Sequence, residues 1–103
     1  MKNKIANGFQ IIHDLIKLKW VPEILESIAL GNFRYNELLQ SIQYISHTEL
    51  NRKLTMLVER KVIDKQVNGS NISYNLMPFG EELVHIFNHL EKLEDRYFTD
   101  QVF

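Results

Sequence analysis

The 103-residue chain is 45% hydrophobic, enough for one domain with a modest core and too apolar for a disordered chain. It has no cysteine, which excludes disulfides, thiol redox sensing and cysteine-based zinc sites. The net charge of −1 is unevenly spread: residues 34–66 hold six Lys/Arg and four acids, net +2, whereas residues 79–103 hold two and six, net −4, so a polyanion would meet the middle of the chain and be repelled by its end.

In chain order, Phe9, Ile12, Leu15 and Ile16 recur at helical spacing and predict a first helix over about 8–17. Pro22 suits the first position of a second helix, where a missing N–H costs nothing. Ile24, Leu25, Ile28 and Ala29 form its apolar face and Gly31 its stop. Leu38, Leu39 and Ile42 mark a short third helix over about 35–41, and Gln43-Tyr44-Ile45 is the turn after it. A fourth helix opens at Ser46. The Ser46 hydroxyl can accept from the Glu49 N–H while the Glu49 carboxylate reaches back to the Ser46 N–H, a reciprocal cap. Leu50, Leu54, Leu57 and Val58 turn inward from it. Residues 62–67 alternate as a half-buried strand, with Ile63, Lys65 and Val67 on one face. Asn68-Gly69 signals a hairpin turn, and Ile72, Tyr74 and Leu76 share a face of the return strand. Pro78 opens a last helix running to about residue 98. The order α-α-α-α-β-β-α defines one α+β, mostly helical domain over residues 1–103.

On the fourth helix, Thr48, Asn51, Arg52, Thr55 and Glu59 share the face opposite the leucines, and His47 sits in the first turn. Arg can bond guanine O6/N7, Asn adenine N6/N7, and a Thr methyl can pack on the thymine methyl. Such a face at the N-terminal end of a helix fits base readout in a major groove. An ordinary solvated face has the same composition; the short helix before it and the hairpin after it favour DNA.

The last helix carries Leu83, Ile86, Leu90, Leu93 and Tyr97 at heptad spacing, widened by Val84, Phe87 and Phe98. That stripe is more than docking on so small a core requires. It predicts a dimer seam shared with Phe9, Ile12 and Ile16 of the first helix. His85 and His89 stand at i, i+4, a spacing that can hold a metal, but structural zinc takes four protein ligands, so no metal or other cofactor is expected. No Gly-rich phosphate loop, nucleophile motif or carboxylate pair set against a base is present, so no enzyme is expected. No apolar run is long enough to cross a bilayer or to follow the basic N-terminus as a secretory signal, and a cytoplasmic protein is expected.

Lys19-Trp20, Ile24-Leu25, Phe33-Arg34-Tyr35-Asn36-Glu37-Leu38, Ile45-Ser46 with Leu50, Leu54 and Leu57, and Tyr74-Asn75-Leu76 followed by Pro78-Phe79-Gly80 together resemble the HxlR-type winged helix-turn-helix regulators, relatives of MarR, over roughly residues 10–98. The resemblance implies a bacterial, homodimeric transcriptional regulator. Its helix-turn-helix would occupy about 35–60, its wing about 62–76 and its dimerisation helix about 79–98. Carried over by motif, His47, Thr48, Asn51 and Arg52 take the base-reading positions. Arg34 and Tyr35 take positions near the phosphate backbone, joined by Ser46, Lys53 and Thr55 around the reading helix and by Lys65 on the wing. Three departures stand out. The wing tip Asn68-Gly69-Ser70-Asn71 has no Lys or Arg, so only the neutral side chains of Asn68, Ser70 and Asn71 can grip phosphates there. The cysteine by which some family members sense oxidants is missing. Met77 replaces the Thr that caps the last helix in the family, a loss of about 1 kcal/mol. The expected function is sequence-specific DNA binding by a homodimer on a pseudo-palindromic operator. The alternatives are a winged-helix module for protein contact alone and a sensor holding a small-molecule effector at the dimer interface.

Overall fold

The computed structural model describes the backbone of residues 4–98 and the side chains of residues 10–98. Among the described residues the elements are α1 (Lys4–Ile16), α2 (Val21–Ala29), α3 (Tyr35–Ser41), α4 (His47–Glu59), the strands β1 (Ile63–Asn68) and β2 (Asn71–Leu76), and α5 (Pro78–Tyr97). Helix α2 lies at the centre, touching α1, α3, β2 and α5. Its Val21, Ile24, Leu25 and Ile28 are all but inaccessible. Each such buried aliphatic contributes about 1.5–3 kcal/mol relative to exposure.

Helix α1 begins four residues before the apolar spacing predicts. Gly8 therefore sits inside the helix, at a cost of about 1 kcal/mol. Helix α2 begins at Val21, one residue before Pro22, so the proline takes the second position, where its N–H would still lack an intrahelical partner. Its N-cap Trp20 has φ +77°, uncommon for a bulky side chain, and the Lys19 Nζ stands 5.0 Å from the indole centroid. The C-terminus closes as the glycine signal predicts. Gly31 has φ +106°, its N–H donates to Ile28 O at 3.0 Å, and the Asn32 N–H donates to Ser27 O at 3.1 Å, a Schellman closure. Helix α4 ends the same way around Lys61, φ +61°, with Lys61 N donating to Val58 O and Val62 N to Leu57 O, both at 3.0 Å.

Strands β1 and β2 pair antiparallel from Ile63↔Leu76 to Asn68↔Asn71. The two-residue loop is therefore Gly69-Ser70, one position beyond the Asn68-Gly69 signal. Gly69 carries φ +66° while Ser70 is not among the positive-φ residues, the pattern of a type II′ turn with glycine first. Only the base of the hairpin is buried, at Ile63 and Tyr74; further out Val67 and Ile72 face solvent. The Tyr74 N–H donates to Phe33 O at 2.8 Å, which ties the hairpin to the connector before α3.

Helix α5 corrects the seam expected from its heptads. Leu83 and Phe87, assigned above to a dimer, are 1% and 6% exposed within the protomer, because the N-terminal half of α5 lies against α2 and the core. Val84 is buried with them. Ile86, Leu90, Tyr97 and Phe98 remain exposed, and Leu93 is half-buried. On α1, Ile12 and Ile16 are half-buried against the same core, while Ile11, absent from the expected seam, is 74% exposed. The Phe9 side chain lies outside the described side chains. The Met77 cap of α5 makes no side-chain bond, yet its N–H donates to Val62 O at 3.0 Å, so a tertiary bond holds the helix start. Gly80 follows there for want of space. A Cβ on it would collide with the Val62 carbonyl oxygen and stand 3.3 Å from Leu76 Cδ2.

Candidate nucleic-acid interface

The candidate interface is built from the N-terminal ends of α3 and α4 and from the hairpin tip. Helix α3 is fixed by Glu37, whose carboxylate accepts from the Phe33 N–H at 3.0 Å and the Arg34 N–H at 3.1 Å. Its far end is fixed by a small, partly buried network around Ser27. Ser41 Oγ donates to Leu38 O at 3.1 Å and accepts from Ser27 Oγ at 2.5 Å, and Ser27 in turn accepts from Asn32 Nδ2 at 3.2 Å. The turn to α4 passes through Tyr44, φ +73°, and is pinned by buried Ile42 and Ile45. Leu50, Leu54 and Leu57 then seat α4, which leaves its opposite face in solvent.

Half of the expected reciprocal cap is present: the Glu49 N–H donates to Ser46 Oγ at 3.1 Å. The Glu49 carboxylate turns instead toward Arg52, with 3.5 Å between Oε1 and Nη1. One turn of helix separates these two charges, and at this position the guanidinium outcompetes a backbone N–H for the carboxylate. Arg52 is thus exposed but engaged. Thr48, Asn51, Arg52 and Thr55 line a shallow groove along α4 with Met56 and Glu59, whose acid closes its C-terminal end to phosphates.

His47 does not project freely. Its ring stacks on Tyr35 of α3, centroids 5.8 Å apart and planes 21° off parallel. The Tyr35 hydroxyl lies 3.1 Å from His47 Nδ1 and donates to His47 O at 3.2 Å. Tyr35, expected beside the phosphate backbone, therefore braces His47, one of the residues expected to read bases. Arg34 donates from Nη1 to Asn71 Oδ1 at 3.4 Å, a long bond that joins the start of α3 to the hairpin tip. Ser46, Asn68 and Ser70 are exposed. Lys53 is half-buried on the flank of α4, away from its groove. Lys65 borders a small depression with Thr55, Glu59 and Tyr74, so the hairpin does lie beside α4 but offers its lysine next to an acid. The Tyr74 phenol is pushed above its ordinary range by burial first and by Tyr35 second.

Two features of the site are missing from the expected set. The Glu49–Arg52 pairing had a signal, an acid three residues before a base on one helix. The Tyr35–His47 stack joins residues twelve apart and has none.

Two helices joined by a tight turn, the second presenting a polar face, with a hairpin alongside, define a winged helix-turn-helix protein. The profile of HxlR-like helix-turn-helix proteins matches residues 15–102, and the chain belongs to that family, a class of DNA-binding transcription regulators and not of enzymes. Its fold is similar to that of the reduced form of the transcriptional regulator YodB from B. subtilis, with 22% identity, 97% of each chain covered and a TM-score of 0.76. It is also similar to a putative MarR-family transcriptional regulator from Porphyromonas gingivalis W83, with 23% identity, 95% of this chain and 98% of that one covered, and a TM-score of 0.74. A possible HxlR-family transcriptional factor from Thermoplasma volcanium GSS1 shows 22% identity over 81% of each chain and a TM-score of 0.65. No curated protein sequence matches the chain. Among the described residues no helix is long and apolar enough to cross a membrane.

Proposed function

We propose that this protein is a homodimeric, cytoplasmic regulator that reads a pseudo-palindromic DNA site through the first two turns of α4. The observation that carries the reading is the groove of Thr48, Asn51 and Arg52 on the exposed face of a helix capped by Ser46 and seated by three buried leucines. Base contacts come from His47, Thr48, Asn51 and Arg52. Phosphate contacts come from Arg34, Ser46, Thr55 and the hairpin tip, with Lys65 and Lys53 at the margin. The exposed stripe Ile86, Leu90 and Tyr97 on α5, with Ile11 on α1, supports a second copy as its cover. Two α4 helices then lie about one DNA turn apart, roughly 34 Å.

Mixed duplex DNA tested at ~50 mM salt and then at rising salt decides the matter, because phosphate neutralisation makes log affinity fall linearly with log salt. Binding that weakens in this way is expected. No binding at the lowest salt would leave a winged helix used for protein contact, the reading that the uncharged hairpin tip favours. On a selected site, Arg52→Ala should cost about 1–3 kcal/mol and relax one base position. An equal loss on random DNA would make Arg52 a phosphate contact.

A further inference from the structure

We infer that the Tyr35–His47 pair fixes His47 as a hydrogen-bond acceptor toward DNA, so that it selects a cytosine or adenine amino group in the major groove. The inference rests on the reading of α4 as the recognition helix and adds to it the chemistry of one contact.

The Tyr35 hydroxyl has one proton and two neighbours, His47 O at 3.2 Å and His47 Nδ1 at 3.1 Å. A carbonyl oxygen can only accept, so a proton directed to it satisfies that contact. Were the proton turned to Nδ1 instead, two oxygens would face each other at 3.2 Å with lone pairs only. With the hydroxyl donating to the carbonyl, the ring must supply the proton for the other contact, and Nδ1–H donates to the phenol oxygen. In a neutral imidazole the tautomer is set by such a bond, and the second nitrogen is then bare. The stack between the rings holds that orientation. His47 is exposed at the first position of α4, so the bare Nε2 is the polar atom it can offer to a ligand. In the major groove, acceptors find partners in cytosine N4–H₂ and adenine N6–H₂, whereas guanine N7/O6 and thymine O4 are themselves acceptors. A histidine without the tether would sample both tautomers and read either class.

Two measurements test this at pH ~8, where imidazole side chains are neutral as a class. Long-range ¹H–¹⁵N correlation spectra of the free protein should show Nε2 of His47 as the pyridine-type nitrogen. Tyr35→Phe should abolish that preference. A pyridine-type Nδ1 in the wild type would overturn the inference without any DNA being present. Selection of bound duplexes from a randomised pool should then show one position per half-site at which cytosine or adenine is favoured about two- to tenfold, the worth of one hydrogen bond. His47→Ala should level that position and leave the others. A preference for guanine or thymine there, or identical profiles for wild type and His47→Ala, would overturn the inference. Failure to select any duplex while the spectra show the expected tautomer would instead sink the regulator reading, and the reader role of His47 with it.

Discussion

Three ionisable side chains show how neighbours set what a single residue can do. Arg52, the proposed guanine reader, is paired with Glu49 at 3.5 Å. The pair is exposed, so it is worth little to stability, about 0.2–1 kcal/mol, yet the proposed contact of Arg52 with guanine would have to give up the same energy. Glu49→Gln removes that competition and a repulsive charge near phosphates while the backbone cap to Ser46 stays. Affinity for a selected site, read by fluorescence anisotropy, should rise about two- to fivefold. A fall would mean that Glu49 orients Arg52 rather than restrains it. Glu26 on α2 lies beside Glu91 and Glu23, and its carboxyl is pushed above its ordinary 4.5 by burial first, then by Glu91 and Glu23. A carboxyl raised in the folded state binds its proton more readily folded than unfolded. Its favourable contribution is therefore complete below the unfolded value and is lost as pH rises through the folded one. Glu26→Gln should melt higher than wild type at pH ~7, and the two should converge near pH ~4. Equal melting temperatures at both pH values would remove the strain assigned to this trio.

At the scale of elements, the short helix α3 and the capped helix α4 were legible because their signals are local. Leu38 and the Ser46 cap mark their own positions whatever the rest of the chain does. The hairpin was legible in kind but not in register. Asn68-Gly69 and Gly69-Ser70 both read as two-residue turns, and the choice falls to the pairing of Ile63 with Leu76 and Val67 with Ile72. The inward half of α5 was not legible. A heptad stripe states that a helix has an apolar face but not which neighbour covers each turn of it, and α2 covers Leu83 and Phe87. That docking depends on Gly80, where any side chain meets the Val62 carbonyl. Gly80→Ala should destabilise the fold by about 2–3 kcal/mol through overpacking, visible as a lower urea midpoint with an unchanged slope. An unshifted midpoint would show that the α5 start can slide away from the hairpin base.

For the whole molecule, the apolar surface left open on α5 is what the proposed dimer would cover. Leu90 is 48% exposed and Ile86 42%. Leu90→Glu should leave the melting of the protomer fold nearly intact while halving the mass seen by sedimentation equilibrium and weakening binding to a palindromic site far more than to a half-site. Unchanged mass in the variant would rule out the proposed seam on α5. The contacts that join distant parts of the chain were hidden from sequence reading for one reason. Tyr35 with His47, Phe33 with Tyr74 and Arg34 with Asn71 are products of the assembled fold, and no periodicity encodes them.

Arg34 and Arg52 are both engaged by the protein itself, one with a hairpin amide and one with a carboxylate. A regulator has to find its site among roughly 10⁶–10⁹ competing stretches of genomic DNA. An Arg52 already paired with a carboxylate offers less to an arbitrary backbone, so time lost on wrong sequences is shortened. At the right sequence a bidentate base contact can displace the internal one. The quiet surface of the free protein would then widen the ratio of specific to non-specific binding even where absolute affinity stays modest, and that ratio is what decides occupancy in a cell.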